Sequence, residues 1–287
     1  MRSPSPAGAA LNFALLLACT AVSAQEKTGA PADAVLPSVT ATAVRNPVDK
    51  SYRKMLKGMD LFEEKHGMAP NATLRYKLLP RQPDTNMTGV SVDIVGNTVA
   101  IPVRVARDHT FTLERSQKAL DEDSSVIPNR KAGSMTWRTE IRTPGLPPNS
   151  RRLGDLRLEC LVGMEAGLIS NVRPVIGQIA NFIMGVIDYC NRVDTQYLFF
   201  AERPVFSIAL VSGGRREILS IDRLYAGASY DDGLKGDLPY CDCQVLIDRT
   251  YFLPLGDRSW PDDTLVEYEY MDGDNDPRVT EKAPAAG

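Results

Sequence analysis

The chain has 287 residues, of which 43% are hydrophobic and 24% charged, and its formal net charge is −3. This length is enough to bury the core of one large domain or of two smaller ones. Few charges cluster by sign, so the sequence lacks the basic stripe that is typical of a nucleic-acid-binding protein. The short basic pairs Arg130-Lys131 and Arg151-Arg152 are interpreted as solvated loop residues rather than as an anion site.

Residues 1–24 have the pattern of a secretory signal peptide. Arg2 is followed by an apolar run from Ala9 to Ala18, and Val22-Ser23-Ala24 is a small-x-small cleavage site. The apolar run is too short to span a bilayer. A second interpretation stays open, because Leu16-Leu17-Ala18-Cys19 resembles the lipobox of bacterial lipoproteins, in which Cys19 is lipidated. We expect a periplasmic or secreted protein, with an outer-membrane lipoprotein as the alternative.

Cleavage after Ala24 would leave Cys160, Cys190, Cys241 and Cys243. An even number of cysteines in an oxidising compartment predicts two disulfides. In an extended strand the Cα atoms of Cys241 and Cys243 lie ~6.5–7 Å apart, at the edge of disulfide reach. We therefore expect both to pair with Cys160 and Cys190, in an order that the sequence leaves open. Neither histidine is near enough in sequence to favour a metal site, so we expect no metal and no cofactor.

Residues 171–192 have the clearest helical period in the chain. Six apolar residues recur at intervals of three and four: Val172, Ile176, Ile179, Ile183, Val186 and Cys190. This spacing places all six on one stripe of a helix. Because strand-like sequence flanks the stretch on both sides, we expect a central amphipathic helix that packs on β-structure.

Upstream of that stretch, the pattern predicts one amphipathic helix followed by antiparallel strands. Apolar residues at helical spacing place the helix within 48–65, with Gly67 as its C-terminal cap. Residues 116–125 are polar and predict a loop or a short helix. Pro102 predicts an edge or bulged strand. Alternating apolar residues predict strands at Thr73–Leu79, Val90–Ile94, Val99–Val105, Phe111–Leu113, Met135–Ile141 and Leu156–Val162.

The stretch Asp108-His109-Thr110-Phe111-Thr112-Leu113 resembles the Asp-x-x-Phe-x-Leu strand of carboxypeptidase-regulatory, transthyretin-like domains. The resemblance covers the region around one hairpin. It implies a small antiparallel β-sandwich, and the number of strands predicted before the central helix is enough for one.

Downstream of the central helix, the sequence is again rich in strand signals. Ser212-Gly213-Gly214-Arg215 is typical of a hairpin turn. The predicted strands are Tyr197–Phe200, Val205–Val211, Glu217–Asp222, Cys243–Ile247, Thr250–Leu253 and Leu265–Tyr270. The fold class is therefore α+β, with a helix-plus-β module at 48–165 and a second one at 166–270. Residues 25–47 predict a flexible linker and residues 271–287 a disordered acidic tail.

No catalytic pattern is complete. A Ser-His-Asp triad would need His66 or His109 as its base, and we interpret these as a helix-end and a turn histidine. The acidic stretch Asp272–Asp276 resembles the start of an EF-hand loop, but Pro277 and Ala283 stand where that motif needs glycine and glutamate.

The long loop that begins at Tyr225 is the best candidate site in the sequence. Asp231 and Asp232 are candidates for binding a cation or for the acid and base roles of a glycosidase. Tyr225, Tyr230 and Tyr240 are candidates for an aromatic face that binds sugar or peptide. Because neighbouring residues on a strand point in opposite directions, a solvated turn is the favoured interpretation of the two aspartates.

These observations favour an exported, non-enzymatic binding or structural module of the cell envelope. Its expected partner is an envelope protein or a glycan, with no nucleic acid, and it would meet the membrane only through a lipid on Cys19. The alternative is a periplasmic hydrolase that uses the loop from Tyr225 to Asp232. Carboxylates that converge in a concave pocket would favour the enzyme.

Overall fold

A computed structural model describes residues 49–168, 186–193, 196–225 and 244–272, all of which belong to one compact unit. The predicted signal peptide, the linker and nearly all of the predicted tail lie outside these ranges. Helices and antiparallel sheets alternate along the chain, which confirms the α+β class. Within the described ranges, no helix is long and apolar enough to cross a membrane.

The first helix, α1 (Tyr52–Lys65), confirms the predicted amphipathic helix. It begins after Ser51, whose hydroxyl accepts a hydrogen bond from the backbone N–H of Lys54 at 3.3 Å. The chain then continues into a 3₁₀ turn, His66–Met68, and Gly67 has no positive φ. The expectation that Gly67 caps the helix is therefore wrong, because the 3₁₀ turn ends the helix without a left-handed residue.

Two antiparallel sheets follow α1. In the first, the strand Ala100–Val103 lies at the edge and contains Pro102, which confirms the expectation from that proline. Its strands, in spatial order, are β1 (Lys50–Ser51), β6 (Ser125–Pro128), β3 (Val92–Val95) and β4 (Ala100–Val103). The second sheet has the order β5 (Thr110–Phe111), β2 (Thr73–Pro80) and β7 (Met135–Arg142). The short helix α2 (Gln117–Asp121) lies where a loop or short helix was expected.

The pairing of β2 with β7 decides which side chains reach the core and which remain available. Leu78 pairs with Trp137, and both side chains are fully buried in the hydrophobic cluster beneath α1. The neighbouring pair, Lys77 and Arg138, lies on the opposite face, because successive side chains of a strand alternate. One face of this sheet therefore packs in the core, and the other is polar.

The stretch predicted as a strand at Leu156–Val162 is a helix, α3 (Leu153–Glu165), so that prediction is wrong. Every residue from 153 to 163 is buried. A helix that is buried on all sides has no polar face and therefore no helical period. The remaining pattern in this stretch is an alternation of apolar residues, which is typical of a strand: Leu156, Leu158, Cys160 and Val162.

The C-terminal part packs with α3 in a second hydrophobic cluster, to which Leu153, Leu156 and Leu161 of that helix belong. The Gly213-Gly214 hairpin is confirmed, since Ser212 pairs with Arg215 and Gly213 has a φ of +56°. Its sheet has the order β11 (Arg215–Ile218), β10 (Val205–Ser212), β13 (Leu265–Tyr270) and β8 (Ser150–Arg152), and a separate pair joins β9 (Phe199–Phe200) to β12 (Thr250–Tyr251). The strand predicted at Cys243–Ile247 is wrong where it is described, because Gln244–Arg249 is a 3₁₀ helix.

A disulfide joins Cys160 of α3 to Cys190 of α4 (Val186–Asn191), and both residues are buried. The expectation that each of these cysteines pairs with Cys241 or Cys243 is therefore wrong. Cys241 and Cys243 lie outside the described residues. The helix predicted at 171–192 is described only from Val186 onward, where it is helical, and Val172, Ile176, Ile179 and Ile183 lie outside the described ranges.

Candidate functional site: a cleft lined by arginines

A cleft of about 900 Å³ lies over the polar face of β2 and β7. The turn before β5 and the segment around β9 form its sides. Its basic side chains are Lys77, Arg107, Arg138, Arg142, Arg151 and Arg249, and its carboxylates are Asp108, Glu140, Glu159 and Glu202. Apolar side chains complete it, chiefly Leu79, Met87, Leu198, Phe199, Phe200 and Leu246. The cleft thus combines charge with apolar surface.

The floor of the cleft contains a carboxylate that is shared by two cations. Lys77 Nζ lies 2.9 Å from Glu140 Oε2, and Arg142 Nε lies 3.4 Å from Glu140 Oε1. Burial raises the pKa of Glu140, but the charges of Lys77 and Arg142 outweigh that effect and hold the pKa below its usual range. Glu140 is therefore an ionised partner of the floor cations at neutral pH.

The segment around β9 forms the wall that faces this floor. Arg142 Nη2 lies 2.7 Å from Glu202 Oε1, and Arg249 donates to the backbone oxygen of Glu202 at 2.9 Å. The guanidinium of Arg138 lies 4.9 Å from the centre of the Phe200 ring, and Arg138 is only 6% exposed. The ring thus covers a buried cation, an arrangement in which the negative face of an aromatic system stabilises positive charge.

The back of the cleft is a buried ion pair between β8 and α3. Two guanidinium nitrogens of Arg151 lie 2.5 and 3.2 Å from the carboxylate oxygens of Glu159. Arg151 also donates to the backbone oxygen of Ile141 at 2.7 Å, and the N–H of Ile141 donates to Glu159 at 2.8 Å. The pair thus completes hydrogen bonds at the end of β7. Arg151 is 6% exposed, so its interpretation as a solvated loop residue is wrong.

Burial and the opposite charge of the partner act against each other in this pair. Burial lowers the pKa of Arg151, but the adjacent charge of Glu159 outweighs burial and holds the pKa well above its usual range. Burial raises the pKa of Glu159, while Arg151 and the N–H of Ile141 oppose the rise. Such bidentate pairs combine charge with a fixed geometry.

Positive charge exceeds negative charge in the cleft. Asp108 accepts hydrogen bonds from the N–H and the hydroxyl of Thr110, and it lies 3.9 Å from Arg75. In the ranges that the structure describes, Arg107 and Arg249 belong to no ion pair. Burial, followed by the charge of Arg138, lowers the pKa of Lys50 to about 8. Burial is thus the main cause of this low pKa, and the charge of Arg138 adds to it.

The structure describes only one of the residues of the predicted loop site. Tyr225 donates its hydroxyl to the backbone oxygen of Val205 at 2.6 Å, and its N–H bonds to Thr250 at 2.9 Å. Tyr225 does not line the arginine cleft. Tyr230, Asp231, Asp232 and Tyr240 lie outside the described residues, so whether they form a site stays a prediction.

The two histidines lie where the sequence placed them. His66 follows α1 and places Nε2 3.0 Å from the backbone oxygen of Ala72, with its ring 4.7 Å from that of Phe62. His109 lies in the turn before β5 with a φ of +61° and borders the cleft. Among the described residues, no three His, Cys, Asp or Glu side chains are grouped to hold a metal ion.

Sequence reasoning missed the cleft because it followed the apolar residues of each strand. The polar positions of the same strands carry the signal. Arg75 and Lys77 lie two residues apart on one face of β2. Arg138 and Arg142 lie four residues apart on the same face of the neighbouring strand β7. A pair of strands that presents cations on one face is a candidate anion-binding surface once the pairing is known.

Comparison with known proteins gives no further guide to function, since no family model, curated protein or solved structure matches the chain.

Proposed function

We propose that the protein is an exported, non-enzymatic binding module of the cell envelope and that the arginine cleft is its ligand site. The observation that carries this proposal is the cleft itself. It has about 900 Å³ of space, which falls within the range of ~300–1,000 Å³ that is typical of small-molecule sites. The charged groups of its floor are attached to the paired strands β2 and β7, so their positions are fixed before a ligand arrives.

The state of the carboxylates supports binding rather than hydrolysis. A hydrolase of the two-carboxylate type needs one group that gives or accepts a proton. Glu140 and Glu202 are paired with basic side chains of the cleft, and Glu159 is held by Arg151. The charges of Lys77 and Arg142 hold the pKa of Glu140 below its usual range, so Glu140 is a poor proton donor. The periplasmic hydrolase with a site at 225–232 remains the rival proposal.

Two features support export. The leader at 1–24 has the order of a signal peptide, and the disulfide between Cys160 and Cys190 is the kind of bond that persists outside the cytoplasm. Our proposal also retains a transthyretin-like sandwich for the N-terminal strands, which the antiparallel pairing of β5, β2 and β7 supports.

Localisation is tested by expressing the full chain in a bacterium, separating envelope from cytoplasm and measuring the intact mass. We expect a periplasmic chain that begins at Gln25. A diacylglycerol mass on Cys19 would replace this result with the lipoprotein alternative. A cytoplasmic chain that retains Met1 to Ala24 would contradict export.

Binding is tested by native mass spectrometry of the protein isolated from its own envelope. We expect a small molecule to accompany the wild-type chain and to be absent from Leu79→Trp, because an indole at this half-buried position narrows the cleft. Ile218→Trp is the control, since Ile218 is exposed on the edge strand β11, away from the cleft. A ligand retained equally by both variants would place binding elsewhere.

A further inference from the structure

The excess of positive charge in the cleft has a definite location. Glu140 and Glu202 share Lys77 and Arg142, and Glu159 is bound to Arg151. After these pairs are formed, Arg107 and Arg249 are still without a carboxylate partner in the part of the chain that the structure describes. Both residues line the same cavity. Asp108, the fourth carboxylate of the cleft, lies 3.9 Å from Arg75. A free anion that enters the cavity therefore meets two arginines that form no ion pair with a described residue.

Arg249 adds a directional requirement. One of its terminal nitrogens donates to the backbone oxygen of Glu202, but its Nε is buried and has no hydrogen-bond partner among the described atoms. A buried donor without an acceptor destabilises a structure. An anionic oxygen at this place would accept the bond, and a charge-assisted bond of this kind is stronger than one between neutral groups.

The rest of the lining has a different chemistry. Leu79 and Met87 lie on the side of β2, and Leu246 and Phe200 lie on the side of β9. These side chains can bury the body of a ligand, whereas a fully hydrated inorganic anion would leave them unused. The cleft thus offers both unpaired cations and apolar surface to a single ligand.

We infer that the ligand is an organic anion of small-molecule size, with a carboxylate or similar head bound by Arg249 and Arg107 and an apolar body against Leu79 and Phe200. This deepens the proposed function and rests on it, because it names the class of molecule that the cleft takes.

The test compares ligands that share one body and differ in the head. Octanoate, octan-1-ol and octylamine are titrated calorimetrically into the full mature chain. We expect octanoate to bind, octan-1-ol to bind about tenfold more weakly and octylamine to show no binding, because a charge-assisted hydrogen bond contributes about this factor. Octyl phosphate is the fourth probe, and its affinity relative to octanoate distinguishes a phosphate head from a carboxylate.

Two variants assign the head to its residues. Arg249→Gln and Arg107→Gln should each weaken octanoate binding about tenfold and leave octan-1-ol binding unchanged. Arg107 is exposed and forms no ion pair with a described residue, so Arg107→Gln should fold normally. It can therefore test the assignment even if Arg249→Gln does not fold. Arg216→Gln, an exposed arginine paired with Glu267 outside the cleft, is the matched control and should bind octanoate like the wild type.

The outcomes separate the two proposals. Equal binding of octanoate and octan-1-ol, both lost in Leu79→Trp, would overturn the anionic head and leave the cleft as a binding site. Tighter binding of octylamine would overturn it in the same way. An envelope ligand that is bound in the cleft but carries no negative charge would also contradict the inference. If no probe binds and no ligand accompanies the wild-type chain, the proposed function fails as well.

Discussion

The cleft contains two sets of arginine–carboxylate pairs that differ in their surroundings. At the back, Arg151 and Glu159 are buried, and each also bonds to the backbone of Ile141. At the rim, the side chain of Glu202 is 58% exposed, and Arg142 forms ion pairs with two carboxylates, those of Glu202 and Glu140. The chemical groups are the same. Only their distance from water and the completeness of their pairing differ.

This difference separates structural charge from charge that is available to a ligand. A buried pair contributes little compared with well-packed apolar residues, but breaking it leaves a charge in the interior. An exposed pair contributes little and is also cheap to rearrange. The back pair therefore holds β8, β7 and α3 together, while the rim can exchange partners when an anion arrives. Four predictions examine this contrast.

The largest expected effect belongs to the back pair. Glu159→Gln should lower the free energy of unfolding by ~3–5 kcal/mol, because it leaves the charge of Arg151 buried without its counter-charge. Urea denaturation measures this loss. Glu202→Gln, the same change at the rim, should cost no more than ~1 kcal/mol. Equal losses in the two variants would mean that burial does not distinguish the sets.

The disulfide tests whether α3 must be anchored for the back pair to form, since Cys160 follows Glu159 in the helix. Replacing both Cys160 and Cys190 by alanine should lower the unfolding free energy by ~3 kcal/mol, because the bridge restricts the unfolded chain over a separation of 30 residues. Urea denaturation with and without reductant checks it. A wild-type chain that is as stable reduced as oxidised would show that the bridge is dispensable.

The burial of Lys50 near Arg138 makes the free energy of unfolding depend on pH. Lys50 has a pKa of about 8 in the fold and 10.5 as its ordinary value. Below pH 8 both states hold the proton, and the cost of burying the charge is present in full. Above pH 8 the folded state loses the proton before the unfolded state does. The free energy of unfolding should therefore rise, by ~2 kcal/mol between pH 8 and 9.5.

Urea denaturation of wild type and Lys50→Met at both pH values isolates this contribution. The methionine variant should lack the rise, since it has no amine to deprotonate. The window ends at pH 9.5 because buried tyrosines act in the opposite sense above it: burial raises the pKa of Tyr251, and the unfolded chain loses that proton first. A fall in the stability of the wild type between pH 8 and 9.5 would contradict the lowered pKa of Lys50.

The smallest expected effect on stability is at the rim. Arg142→Gln should change the unfolding free energy by less than ~1 kcal/mol, because the side chain is one-third exposed and its pairs are screened by solvent. This variant should nevertheless weaken octanoate binding, since it removes a positive charge from the cleft. Calorimetry on the variant measures this. Arg151→Gln is the matched substitution at the back, and it should destabilise the fold by several-fold more.

Several elements could be predicted from local sequence alone. The spacing of Tyr52, Met55 and Leu56 defines one face of α1, and Ser51 caps it. Gly213 permits the positive φ of the hairpin, and Pro102 restricts its strand to an edge. Each of these follows from steric or hydrogen-bonding properties of a few neighbouring residues. No distant contact is needed to decide them.

Other elements could not be predicted because the deciding partners are remote in the chain. The helix α3 has apolar residues on every side, and the rest of the hydrophobic cluster in which it packs comes from remote elements such as β10 and β13. The short strands β6 and β8 exist because β3 and β13 pair with them. The pairing of Cys160 with Cys190 likewise depends on where α3 and α4 meet.

The sequence by itself determined the α+β class, the strand periods and the polar character of alternate positions in β2 and β7. Tertiary structure alone decided that these positions form a cleft, because β2–β7 pairing sets Lys77 beside Arg138 and the β9 segment brings Glu202 and Arg249 across from them. Charge acts through space over a few ångströms, and residues that are far apart in sequence come within that distance only when the chain has folded.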